Sequence, residues 1–189
     1  MPRIAVLAEN LAVILRKSIS SKLFIPLKEE LETIDSYVEV QEIRFTGRFL
    51  CEKEIPDQLE ECLVPKMILQ PLVENAILHG LEGCENGYIC IYAGREGDVL
   101  NISITDNGCG MSPAQLQYVH SLLAANVASK VISEESPRTG IGLVNVNNRL
   151  VLYYGKESGI TIESEEGKGT KVSFRIKREK VVPDESFDN

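Results

Sequence analysis

Apolar positions in this chain follow two periods. Up to residue 45 they recur every three or four places: Ile4, Leu7, Leu11, Ile14 and Leu15, then Leu27, Leu31, Ile34, Val38 and Phe45. Each series draws one apolar stripe along a helix. The first 46 residues therefore read as two helices around a break near Ser18–Ser21. Pro26 suits the first turn of the second helix, and Glu29 and Glu30 beside it favour the positive end of the dipole. Thr46-Gly47 ends that helix. A weak strand is expected near Phe49–Ile55. Leu63 to Leu78 reads as a further helix that Pro65 opens, Pro71 kinks and Gly80 closes.

Beyond residue 86 the period becomes two. Gly87–Ala93 and Val99–Thr105 alternate, and Gly94-Arg95-Glu96-Gly97-Asp98 supplies a hairpin turn between them. Residues 112–139 are mostly small and polar. They hold one short helix, which Ser112-Pro113-Ala114-Gln115 starts as a capping box with Pro at the first helical position. Leu143, Val146, Leu150 and Tyr154 mark another helix, stopped by Gly155. Ile160/Ile162 and Val172/Phe174/Ile176 flank Glu165-Glu166-Gly167-Lys168-Gly169, a terminal hairpin. Lys177–Asn189 is a charged tail. The expected class is α+β: a mixed, mostly antiparallel sheet covered by helices on one face.

Composition narrows the function classes. The chain has 189 residues, 43% of them hydrophobic and 25% charged, which suits one domain with an appendage. Twenty Lys+Arg against 28 Asp+Glu give a net charge of −8. That argues against the net basic face that nucleic acid or an anionic membrane surface requires. The five cysteines form no Cys-x-x-Cys pair, and only His79 and His120 accompany them. A zinc cage is thus not expected, and the thiols read as reduced in a cytosolic protein. Ile4 to Leu15 is too short, and too polar at Glu9 and Asn10, to span a bilayer.

Four segments carry candidate chemistry. Asp106 shares the strand face of Leu100, Ile102 and Ile104, so its carboxylate is carried toward the apolar side, where an unpaired charge is costly. It then needs a donor, such as a ligand's amino group. Asn107-Gly108-Cys109-Gly110 follows, a turn whose glycines allow close backbone approach. Taken alone, the segment is equally a hairpin corner with Asp capping the turn. On the Leu63–Leu78 helix, Asn75 and His79 fall one turn apart, with Glu74 about 100° round from Asn75. The Asn75 amide oxygen is a hard donor suited to Mg²⁺; a hydrogen-bonded Asn at the edge of the core is the plainer alternative, and His79 alone reads as a packing residue. Thr139-Gly140-Ile141-Gly142-Leu143 runs into a helix start, where free N–H groups favour anions; taken alone it is equally a flexible loop end. Gly167-Lys168-Gly169-Thr170 alone is a tight turn entering a strand.

Their order and spacing carry more than any one of them. Leu69 to Gly80 (LQPLVENAILHG), Asp106 to Met111 (DNGCGM), Gly140 to Leu150 (GIGLVNVNNRL) and Gly167 to Thr170 (GKGT) together resemble the N-box, G1, G2 and terminal motifs of the GHKL ATP-binding superfamily. They are most similar to the catalytic domain of sensor histidine kinases of the LytS/YesM type. Leu27–Leu31 through Gln41–Phe45 also looks like the helix those kinases place before the ATP domain.

The resemblance implies a Bergerat-type α/β two-layer sandwich over 47–177 with an ATP lid at about 112–139. A helical segment (1–46) would precede it, a remnant of a dimerisation and phosphoacceptor region, and a flexible tail (178–189) would follow. Asp106 would accept the adenine amine, with Thr170 assisting, and Gly108 and Gly110 would admit base and sugar. Asn75 would coordinate Mg²⁺. Gly140, Gly142 and Leu143 would meet the phosphates at the helix start. Asn75, His79 and Glu74 are the catalytic candidates, and ATP and Mg²⁺ the cofactors. The reaction would be γ-phosphoryl transfer to a histidine. Such kinases carry that histidine upstream in a His-Phe-type motif, absent here. Met1-Pro2 therefore reads as a cut point in a longer, homodimeric membrane sensor, whose partner would be a response-regulator receiver domain. The alternatives are another GHKL ATP user, an anti-sigma-factor-type serine kinase or an ATPase, and a non-catalytic dimerisation module. The former place a general-base Glu one turn before the Asn, and Pro71 stands there.

Overall fold

A computed structural model describes residues 9–10, 12–16, 19, 21–45, 48–125 and 141–177. Residues 9–10 and 12–16 are helical. Strand β1 (Phe24–Pro26) leads into helix α1 (Leu27–Phe45). Leu27, Leu31, Ile34 and Val38 form its buried stripe, as the spacing predicts. The first amides of α1 lack intrahelical acceptors and are met from outside: Leu27 N–H donates to Cys62 O at 2.8 Å and Lys28 N–H to Glu60 O at 2.9 Å.

Strand β2 (Phe49–Glu54) follows, and then β3 (Leu63–Pro65), which pairs antiparallel with β1 in a small sheet of its own. The helix expected from Leu63 therefore starts later. Met67 has a φ of +56°, which no right-handed helix accommodates. Helix α2 spans only Gln70–Asn75, with Pro71 in its first turn. Pro71 thus opens a helix instead of kinking one, because its missing N–H falls where no intrahelical partner exists. After Asn75 the backbone widens into a π-helical stretch, Ala76–Gly80, and Leu81 N–H closes on Ala76 O at 2.9 Å.

The main sheet comprises β2, β4 (Gly87–Glu96), β5 (Val99–Asp106), β6 (Thr161–Glu165) and β7 (Gly169–Lys177). Its order is β2-β4-β5-β7-β6, parallel only between β2 and β4. One face carries Ile89, Ile91, Leu100, Ile102, Ile104, Val172, Phe174 and Ile176, all buried. Against that face pack α2, the π-helical stretch and α4 (Ile141–Tyr154), which contribute Leu72, Val73, Ile77, Leu143, Val146 and Leu150. Each fully buried Leu or Ile contributes roughly 1.5–3 kcal/mol. Helix α3 (Pro113–Ala124) starts on the expected capping box: Gln115 Oε1 accepts from Ser112 N–H at 2.9 Å. The other face carries Tyr88, Cys90, Tyr92, Asn101, Thr105, Lys171, Ser173 and Arg175, half-buried or exposed, so the layers among the described residues number two. The tail and the second half of the expected lid lie outside the described residues.

Candidate functional site

Asp106 is the last residue of strand β5, still paired on both sides with β4 and β7. Asp106 lies opposite Ile89 on one side and Thr170 on the other. Its side chain is buried, at 6% exposure, as the parity of β5 requires. Gly108 N–H donates to Oδ1 at 2.9 Å. Burial raises the Asp106 pKa above its ordinary value, and the amides of Gly108 and Thr170 partly oppose the shift. The carboxylate is thus held by protein donors too few to repay its desolvation.

Glycines make this arrangement possible. A Cβ on Gly108 would lie 1.9 Å from Gly80 O, and one on Gly169 2.0 Å from Asp106 O. A Cβ on Gly80 would press on the Asp106 carboxylate at 2.7 Å. The turn after β5 therefore rests directly on the end of the π-helical stretch, and Cys109 N–H bonds Gly80 O at 2.8 Å. Asn107 ties the same turn to the start of β4: its Oδ1 accepts from Tyr88 N–H at 2.7 Å and its Nδ2 donates to Asn86 O at 3.0 Å.

Beside Asp106 opens a cavity of about 450 Å³. Leu72, Ile104, Val119, Leu143 and Val172 form its apolar walls, and Asn75, His79, Asp106 and Thr170 its polar points. Tyr118 and Val119 of α3 close one side of it. Asn75 Nδ2 is buried without a hydrogen-bond partner; rotation of the amide presents Oδ1 in its place. Glu82 and Asp106 are the carboxylates of the lining, and no Lys or Arg among the described residues joins them.

The expected site residues divide clearly. Asn75, His79, Asp106, Gly110, Leu143 and Thr170 line one cavity. Gly108 lies beneath it, where its missing side chain serves backbone packing. Gly142 is adjacent, with Asn75 Nδ2 at 3.4 Å from where its Cβ would be. Gly140 lies outside the described residues. Glu74 is not in the lining; it accepts from Gln70 Nε2 at 2.9 Å. His120 sits at β6, with Nε2 3.3 Å from Ile162 O. Burial, then the neighbouring Asp106, raise the Cys109 pKa, which disfavours the thiolate beside the cavity.

Sequence reasoning missed Ser164. Its hydroxyl accepts from Met111 N–H at 2.9 Å, meets Thr170 Oγ1 at 2.8 Å and lies 3.1 Å from Gly169 O. One serine therefore fastens the turn after β5 to the Thr170 strand. The one available signal was its place opposite Thr170 in a hairpin. Asn147 was equally silent: it accepts from Ile160 N–H at 3.0 Å and donates to Leu123 O at 3.4 Å, joining α4 to both neighbours.

Comparison with known proteins follows the same lines. Residues 63–180 match the family described as histidine kinase-, DNA gyrase B-, and HSP90-like ATPase, and residues 2–49 match the family described as histidine kinase. The chain is 31% identical over 159 residues to the sensor protein LytS of Bacillus anthracis, covering 82% of this chain and 25% of that protein. It is 33% identical over 176 residues to the sensor histidine kinase YesM of Bacillus subtilis, covering 92% of this chain and 28% of that protein. It thus spans about a quarter of the length of these curated relatives. Among solved structures, the histidine kinase domain of a blue-light activated histidine kinase from Erythrobacter litoralis superposes with a TM-score of 0.58 at 16% identity, covering 93% of this chain and 75% of that one. The catalytic domain of histidine kinase ThkA does so at 0.57 and 20%, covering 82% of this chain and 94% of that one.

Proposed function

The chain belongs to the histidine kinase-, DNA gyrase B-, and HSP90-like ATPases and has their two-layer sandwich fold; on that premise we propose that it is the ATP-binding catalytic domain of a sensor histidine kinase. The observation that carries the reading is the buried, under-satisfied Asp106 carboxylate with an open cavity beside it. An adenine amine there donates to a charged acceptor, the strong kind of hydrogen bond. Thr170 lies opposite Asp106 and offers a hydroxyl to the same edge of the base. The apolar walls cover the ring faces.

The triphosphate would extend toward Asn75, His79 and the start of α4. Asn75 would hold a bound Mg²⁺, whose charge would offset that of the phosphates. The residues present suit it: Asn75 supplies a hard amide oxygen from a side chain with an orphaned polar end, and two carboxylates without a described cation leave a polyanion in need of counter-charge. Gly142 keeps the first turn of α4 open beside Asn75. His79 faces the same space and can donate to a phosphate oxygen.

The chemistry would be transfer of the γ-phosphoryl to an imidazole nitrogen, leaving ADP. A neutral imidazole is already nucleophilic, so the chain's task is positioning and charge stabilisation. That agrees with the surroundings of Asn75, where Pro71 opens the helix and Glu74 is bonded to Gln70 outside the cavity lining. A water- or hydroxyl-activating base is missing among the described lining residues at that point, which disfavours the hydrolytic and serine-kinase alternatives. The acceptor would lie upstream in a longer, dimeric sensor anchored by segments outside this chain, with a receiver domain as the onward partner. No described helix is long and apolar enough to cross a membrane.

Calorimetric titration of the chain with ATP and ADP, with and without Mg²⁺, tests the reading. Saturable binding that Mg²⁺ strengthens for ATP supports it, and absence of nucleotide binding overturns it. Incubation with γ-labelled ATP should leave no acid-labile phosphohistidine on this chain; label at His79 or His120 would refute an upstream acceptor.

A further inference from the structure

The two ends of the proposed nucleotide site are held by different parts of the fold. Asp106 is built into the central strand of the sheet. Asn75 stands on α2, a helix of six residues whose N-terminus carries no side-chain cap of its own. Leu69 occupies the cap position with helical angles (φ −89°, ψ −38°) and nothing to offer the free amides. The cap arrives from elsewhere in the sequence. Glu30, in the first turn of α1, accepts from Met67 N–H through Oε2 at 2.9 Å and from Leu69 N–H through Oε1 at 3.0 Å. Its side chain is 2% exposed.

Met67 lies between those two amides in the left-handed region, an uncommon state for a residue with a side chain that persists only where surroundings hold it. Its carbonyl accepts from Arg149 Nη1 at 3.3 Å. The peptide before α2 is therefore pinned by α1 on one side and by α4 on the other. Burial raises the Glu30 pKa, and the amides of Met67 and Leu69 oppose the shift. The carboxylate is costly to keep there unless those amides stay in place.

We propose that Glu30 is a positioning residue for the phosphate end of the site: by capping α2 from α1 it sets the axial position and rotation of the short helix that carries Asn75. A shift of α1 along its axis would move that cap, and with it Asn75, while Asp106 stays fixed in the sheet. The upstream helix would thereby adjust metal–phosphate binding separately from adenine binding. This inference rests on the nucleotide reading given above.

The test uses the whole chain with Glu30→Ala and Glu30→Gln, both titrated well below their melting temperatures. Gln keeps the shape and carries no charge to desolvate, so it is read wherever the Ala variant does not fold. Loss of the cap is expected to weaken ATP with Mg²⁺ about tenfold, as misplacement of a binding group does. ADP without Mg²⁺ should stay within about twofold, because its base sits on the sheet. Gln, which retains one acceptor oxygen, should fall between Ala and the native chain. Parallel weakening of both ligands, or unchanged affinity for both in folded variants, overturns the positioning role. Failure of the native chain to bind either nucleotide would instead overturn the ATP reading itself.

Discussion

Asp106→Asn separates binding from folding. The substitution is isosteric, so nothing collapses around a side chain wedged against Gly80 and bonded by Gly108. The unliganded protein loses a buried charge whose desolvation its neighbours only partly offset. Against that gain stands the weakening of an amide hydrogen bond, worth about 0.5–1.5 kcal/mol. The two nearly cancel, and the unfolding free energy should change by no more than ~1 kcal/mol. Binding behaves differently. An amide nitrogen toward the cavity sets donor against the adenine amine, which removes a charge-assisted hydrogen bond worth about 1.5–3 kcal/mol. Nucleotide affinity should therefore fall by roughly 10- to 150-fold. Calorimetry with ADP and ATP reads the affinity, and thermal denaturation reads the stability. Inosine triphosphate gives an internal control, because a carbonyl oxygen replaces the amine. Its affinity should fall less than that of ATP, or rise, since the new Asn can donate to it. Unchanged ATP affinity would refute the assignment. So would a loss of affinity that tracks an equal loss of melting temperature, or an equal loss for both purines.

Two further outcomes follow from groups already described. Folded Asp106 titrates above its ordinary 3.8 and Glu30 above its ordinary 4.5, both through burial. Between those values and the raised ones the folded chain binds more protons than the unfolded chain. Stability therefore falls as pH rises through the window and is regained on acidification. Denaturant melts from neutral to mildly acid pH should show this relative to the double variant E30Q/D106N, while ATP affinity of the native chain drops as Asp106 protonates; a native profile identical to that of the double variant would exclude the linkage. Gly108→Ala must drive a Cβ into Gly80 O, 1.9 Å away, at a cost above ~3 kcal/mol. Gly97→Ala meets nothing within 4 Å and carries only the strain of φ +59°, about 1–2 kcal/mol. Urea unfolding of the pair should show that gap, and equal losses would contradict the backbone contact.

Period-two patterning was legible because β4 and β5 each bury one face, and the same parity marked Asp106 before any cavity was visible. Capping chemistry at Ser112 and the Gly155 stop were equally local, the latter at φ +90°. The strand pair β1–β3 was not legible. Three residues give no measurable period, and their pairing joins segments about forty positions apart. The same pairing took Leu63–Pro65 out of the helix their apolar spacing suggested. Glu30 was the most instructive case: its place in a first turn reads as service to its own helix dipole, yet its carboxylate faces another helix. Charge position along a sequence indicates which end of a helix a residue sits at. It does not indicate which backbone amides the side chain reaches. Ser164 escaped notice for the same reason, since its three partners come from the turn after β5 and from the opposite strand.

The floor beneath Asp106 consists of peptide groups: Gly80 O receives Cys109 N–H, and Gly108 leans on the same carbonyl. Mutation can recolour the rim at Glu82, Cys109 or Met111 without altering that floor. Inhibitors seated only on the floor would find the same surface in any relative that keeps these two glycines and the acid. Selectivity among such relatives would have to be sought at the rim.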